Sequence, residues 1–278
     1  MLKQEIRRVL HSPFFYISII ILVFADFPVM LDQFEMSNEL TYLVDVGWGM
    51  GYGSVLYPLL CVLTTAESYL MEYRSGYRYS SMSRTSKTRY AVTKMVVAIS
   101  TGAAIAVLSR LLFLGLTALI VYKIHGQVLV GGEDTIEAMS RTSLLVIQRK
   151  YAQYLMLFIL EDSLYASILP GIALIVSLFV KNRYVVMLSS YIYCEGMDMI
   201  FITLQWYYGS PLVLMSTGRA SLLPYKGQSV VAVLCYLYCL YGSLCAVSLE
   251  SLWSSYLKCI VGWERWRSFR HGRFAVGE

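Results

Sequence analysis

Six apolar runs constrain this chain more than any other feature, because each approaches the roughly 20 residues that cross a hydrocarbon core of about 30 Å. They cover residues 14–30, 52–70, 95–121, 155–180, 184–207 and 229–249. The chain has 278 residues, is 57% hydrophobic and only 15% charged, and has a mean hydropathy of +0.58. Soluble domains carry about a quarter charged residues. A soluble globule of this composition would expose far too much apolar surface, and disorder requires the opposite composition. The reading is an all-α polytopic membrane protein with six transmembrane helices.

Two runs need interpretation. Lys3, Arg7 and Arg8 precede the first, as in a signal peptide, but Ala25-Asp26-Phe27-Pro28 is not a small-residue cleavage site. It is therefore read as a retained span. Glu161 and Asp162 interrupt the fourth, which could begin only at Ser163 and leave 151–160 as an interfacial helix.

Orientation follows from the flanking Lys and Arg residues. Sixteen fall on one side, in the N-terminal segment, the second and fourth loops and the tail, and six on the other. Both termini are therefore expected in the cytosol of a multi-pass cell-membrane protein. The first outer loop is acidic, with Asp32, Glu35, Glu39 and Asp45. Trp48 and Tyr52 are read as anchors at the outer boundary, as are Trp206 to Tyr208, with Trp253, Tyr256, Trp263 and Trp266 at the inner one. Leu2, Ile6, Val9 and Leu10 share one helical face and Lys3, Glu5, Arg7 and Arg8 the other, which makes 1–12 an interfacial helix. The basic tail 250–278 opens in the same way. Residues 14–249 hold the spans, and the apolar fifth loop, 209–227, could re-enter the membrane.

Several chemistries find no support. Cys61, Cys194, Cys235, Cys239, Cys245 and Cys259 form no CxxC pair, and His11, His125 and His271 form no metal motif. No Walker A pattern, GxSxG elbow or basic nucleic-acid-binding segment occurs, so no catalytic residue, metal or nucleic-acid partner is assigned. Gly47 to Gly53 is glycine-dense without the GxGxxG spacing and reads as a flexible outer turn.

Charges within the spans are costly, at least about 2.5–3.5 kcal/mol each when unpaired. Asp26, Arg110, Glu195 and Asp198 all fall at such depth, with Glu195 and Asp198 on one face at i, i+3. The expectation is that Arg110 pairs with Asp198 or Asp26, leaving Glu195 as a lining residue.

The segment after the second run carries Glu72, Arg74, Gly76, Ser83, Arg84, Ser86, Tyr90 and Lys94. This order resembles the membrane subunits of type-2 ABC transporters, in which an acidic residue and E-x-R-x-G close span two, an S-R-x-S/T helix follows, and an aromatic and a lysine open span three. Ser12-Pro13-Phe14 after an amphipathic helix resembles the family's connecting helix, and residues 180–184 its inner turn. The resemblance implies six spans, two permease copies per transporter as a homodimer or with a related subunit, and separate ABC ATPase subunits that bind ATP-Mg, with no cofactor on this chain. It implies that residues 82–89 dock into the ATPase and transmit its closure. Gly76 can end one helix and Ser83 or Ser86 cap the next. The expected function is the permease of an ATP-driven exporter rather than an enzyme. The alternatives are a proton-coupled carrier using intramembrane carboxylates, or a membrane anchor or sensor subunit.

Overall fold

The computed structural model describes residues 2–34, 36–74, 87–139, 144–180 and 182–205. The sixth apolar run, the fifth loop and the basic tail lie outside the described residues, as do Gly76, Ser83, Arg84 and Ser86. Within them the chain is helical: α1 (Leu2–Leu10), α2 (Pro13–Gln33), α3 (Leu40–Met50), α4 (Gly53–Arg74), α5 (Lys87–His125), α6 (Glu133–Met139), α7 (Leu144–Ile147), α8 (Tyr151–Phe179) and α9 (Arg183–Thr203). Four of these, α2, α5, α8 and α9, are long and apolar enough to cross a membrane, and the apolar part of α4 is the shorter stretch Val55–Thr65.

Local chemistry places the ends. Pro13 opens α2 at a position where a missing N–H costs nothing. Asn182 accepts the N–H of Tyr184 at 3.0 Å and caps α9. Gly126, at φ 71°, follows α5 in the left-handed conformation that ends a helix cheaply. Pro28, Pro58 and Pro170 lie inside helices, which neighbouring helices make tolerable in apolar surroundings.

The most extensive contact is between α5 and α8. Pro170 has no N–H for the Ala166 carbonyl one turn back. Gly102 of α5 packs there: a Cβ at this position would collide with the Ala166 oxygen and lie 2.8 Å from Pro170 Cγ. Close backbone approach at a small residue is how helices associate where water supplies no drive. On α9, Val186, Ser190, Cys194, Asp198 and Phe201 form the buried stripe. Leu188, Ile192, Met199 and Ile200 leave its other side apolar and exposed.

One sequence alternative is set aside: the fourth run does not begin at Ser163, because α8 runs unbroken from Tyr151 through Asp162. In the short α1, Leu2, Ile6 and Leu10 are exposed, while Glu5 and Val9 face the bundle. Glu5 accepts a hydrogen bond and ion pair from Lys94 Nζ at 2.6 Å, tying α1 to α5.

The chain between α2 and α4 also departs from a loop. Leu40 N–H donates to the Leu129 carbonyl at 2.8 Å and Thr41 N–H to that of Val130 at 3.1 Å. From this end, remote from α1, α3 turns back into the bundle and buries Leu40, Leu43, Val44 and Trp48. The helix breaks at Gly51-Tyr52, beside Asp26, and α4 continues towards the α1 end.

Candidate functional site

Two apolar layers fill the bundle. One holds Phe15, Ile19, Leu22, Ile105, Tyr165 and Leu169, and the other Met30, Leu43, Trp48, Phe113, Tyr154 and Phe158. Between them lies a layer of charge. Arg110 of α5 donates from Nη1 to Asp26 Oδ2 of α2 at 2.8 Å and from Nε to Asp162 Oδ2 of α8 at 2.7 Å. All three side chains are buried, none more than 4% exposed. Arginine suits this task because its planar fork can bridge two carboxylates with fixed directions.

The surroundings are equally specific. The guanidinium carbon lies 5.2 Å from the Trp48 ring centroid and 5.3 Å from that of Tyr57, so an aromatic face covers it from α3 and from α4. Trp48 stacks on Phe158 at 4.9 Å, which fixes the indole. Tyr57 Oη donates to the Asp162 carbonyl at 3.1 Å. Asp26 Oδ1 accepts the Gly53 N–H at 3.1 Å, at the first turn of α4, where orphan donors and the helix dipole favour an anion. A Cβ at Gly53 would strike that carboxylate, and one at Gly51 would meet it and the Gly47 carbonyl. The glycine-dense segment is therefore not a free outer turn: its glycines admit the Asp26 carboxylate to the break between α3 and α4.

The cluster is incomplete as a hydrogen-bond network. Asp162 Oδ1 and Trp48 Nε1 are buried and have no hydrogen-bond partner among the described residues. With all three groups ionised, one cation faces two anions.

The residues singled out from the sequence are distributed as follows. Asp26 and Arg110 come together. Asp198 is buried on α9 but is not the partner of Arg110, whose second carboxylate is Asp162. Glu195, one turn earlier on α9, is half-buried. Glu72 and Arg74 lie in the last turn of α4. Trp48 is 3% exposed and lies inside the bundle, not at its boundary, whereas Tyr52 is exposed.

Sequence reading missed Asp162, Trp48 and Tyr57 as site residues. One signal was present for Asp162. Counting about 1.5 Å per residue places it about 26 Å from Phe179, close to the about 24 Å separating Arg110 from Lys94.

At the end remote from α1, Glu39 accepts N–H groups from Gly132 at 2.7 Å and Thr135 at 2.8 Å, and the Thr135 hydroxyl. Burial pushes its carboxyl up, but these donors, together with the Asp134 N–H, outweigh burial and hold it below the usual glutamate range. Asp45 of α3 accepts the Tyr154 hydroxyl at 2.8 Å.

Comparison of the chain with protein-family models, curated proteins and solved structures gave no match in any of the three.

Proposed function

We propose that this chain is the membrane-spanning subunit of an ABC transporter of the type-2 permease kind. It would have six spans, α1 and the 75–86 loop in the cytosol, and a second permease copy and ATP-binding subunits as partners. The observation that carries this reading is the buried Glu5–Lys94 pair. It joins an amphipathic helix lying beside the bundle to α5 just beyond the segment that bears the Glu72 to Ser86 motif. A partner that moves this segment would pull on α4, α5 and α1 together. About 24 Å further along α5, Arg110 is bonded to both α2 and α8, so displacement at the foot of α5 passes to three helices at once. Substrate would cross between two copies as the spans rock.

The test is purification of the tagged chain from its native membrane in mild detergent. An ABC ATPase is expected to co-elute, and Arg84→Glu to release it while the chain remains folded. Flux in reconstituted vesicles is expected to require ATP and to survive a protonophore. Purified chain without an ATPase, or flux that a protonophore abolishes, would overturn the proposal in favour of an anchor or a proton-driven carrier.

A further inference from the structure

Where α1 turns into α2, beside the last turns of α4, lies a cavity of about 260 Å³. Arg8 of α1, Ser12 and Phe14 at the junction and Thr64 of α4 are among the residues that line it. Thr64 is 2% exposed, and its hydroxyl has no hydrogen-bond partner among the described residues. Other hydroxyls of the bundle return to their own helix. Thr65 donates to the Val62 carbonyl at 3.0 Å, Thr101 to that of Val97 at 2.6 Å and Thr117 to that of Phe113 at 2.8 Å. Thr64 therefore brings a buried, unused donor to the cavity wall, where a guest can satisfy it. Ser12 stands at the N-cap of α2, where a serine oxygen ordinarily accepts an N–H of the first turn, yet it makes no such bond. The positive end of a 21-residue helix thus meets the cavity without its usual side-chain acceptor. Arg8 adds a full positive charge and five N–H donors, more than one neighbour uses.

We propose that this cavity binds the phosphate headgroup of an anionic membrane phospholipid, whose acyl chains run along α2. The inference rests on α2 crossing the membrane and not on the transporter reading. A phosphate suits the donors: its oxygens can take the α2 N-terminus and Arg8 together, and an ester oxygen can take the Thr64 hydroxyl. The apolar part of the lining selects a lipid over a free anion. Pro13 and Met71 border the cavity, and Met71 is 59% exposed. Pro13, Ile17, Ile20 and Phe24 share one face of α2 at i, i+4, i+7 and i+11. Ile17, Ile20 and Phe24 are exposed, so an apolar track leaves the cavity and climbs the span. Lys3 and Arg7, also on α1, keep this end of the molecule basic, which draws anionic lipid to the cavity mouth.

The test titrates the purified full chain in mild detergent with lipid and reads bound lipid by native mass spectrometry. Phosphatidylglycerol should bind the unmodified chain more tightly than zwitterionic phosphatidylcholine, and inorganic phosphate should not displace it. Thr64→Val keeps the shape of the side chain and removes the hydroxyl. It should weaken phosphatidylglycerol binding about fivefold, the worth of one hydrogen bond. Arg8→Gln should weaken it about tenfold, as the loss of a charge-assisted bond does. Arg7→Gln, one residue away and not on the cavity wall, should change it by less than about twofold. Equal affinity for the two lipids in the unmodified chain would overturn the proposal, whether or not the variants fold. Displacement by inorganic phosphate would overturn it in favour of a soluble-anion site. Equal losses in Arg7→Gln and Arg8→Gln would replace it with diffuse attraction to a basic helix. Full affinity in folded Thr64→Val would remove the cavity from the binding.

Discussion

Glu39 shows how much one side chain can organise. Its carboxylate gathers donors from Gly132, just before α6, and from Thr135 in the first turn of α6, closing the end of the bundle remote from α1 over the start of α3. Because these donors hold the folded-state pKa below the unfolded one, the stability they contribute is fully present above the ordinary glutamate range. It is lost as pH falls through the folded value. Glu39→Gln should lower stability by about 1 kcal/mol at neutral pH, a figure discounted for the partial exposure of the site. The variant and the original chain should converge in acid. Thermal denaturation in detergent across pH measures this, and a constant gap at every pH would show that the charge plays no part. From sequence, Glu39 was one acid among four in an outer loop, since hydropathy carries no information about which backbone N–H groups lie opposite.

At the scale of elements, the spans were largely legible and the join between α3 and α4 was not. Runs of apolar residues report helices directly, and α2, α5, α8 and α9 follow them. A hydropathy reading treats each charge as the end of a span, so Glu161-Asp162 appeared to divide the fourth run. Arg110, 52 residues distant, gives Asp162 a buried ion pair, which no local pattern reveals. The break at Gly51-Tyr52 was hidden for a similar reason: glycines look like a flexible turn unless the group that occupies their missing side-chain space is known. That group is Asp26, and the contrast with Gly49, where a Cβ would have nothing within 4 Å, makes a direct test. Gly53→Ala should cost about 1–3 kcal/mol through overpacking against Asp26. Gly49→Ala, within α3, should be neutral or stabilise by up to about 1 kcal/mol through helix propensity. Tm values of the two variants in the same detergent decide it, and equal values would remove the packing role given to Gly53.

Across the whole molecule, the charged layer and the Glu5–Lys94 pair act on the same helix at two heights. Arg110 fixes α5 to α2 and α8, and Lys94 fixes α5 to α1. Both devices exploit the low dielectric of an apolar bundle, where satisfied ion pairs specify one arrangement and a lone charge is heavily penalised. The two differ in exposure. The Glu5 and Lys94 side chains are each about 10% exposed, so either can relax towards water if the other is lost. Glu5→Lys should therefore cost about 2–3 kcal/mol, short of the about 3–5 kcal/mol for breaking a fully buried pair, and should release α1 rather than unfold the spans. Limited proteolysis should then cut near His11 and Ser12, while the Tm of the remaining bundle falls only slightly. Lys94→Glu should behave alike, and the double exchange, Glu5→Lys with Lys94→Glu, should restore protection because the pair is re-formed with its polarity reversed. Protection in both single variants would show that Val9 and the apolar contacts hold α1 without the ion pair. Failure of the double exchange, with both single variants cleaved, would mean that one of the two charges answers to a further group at the foot of α5.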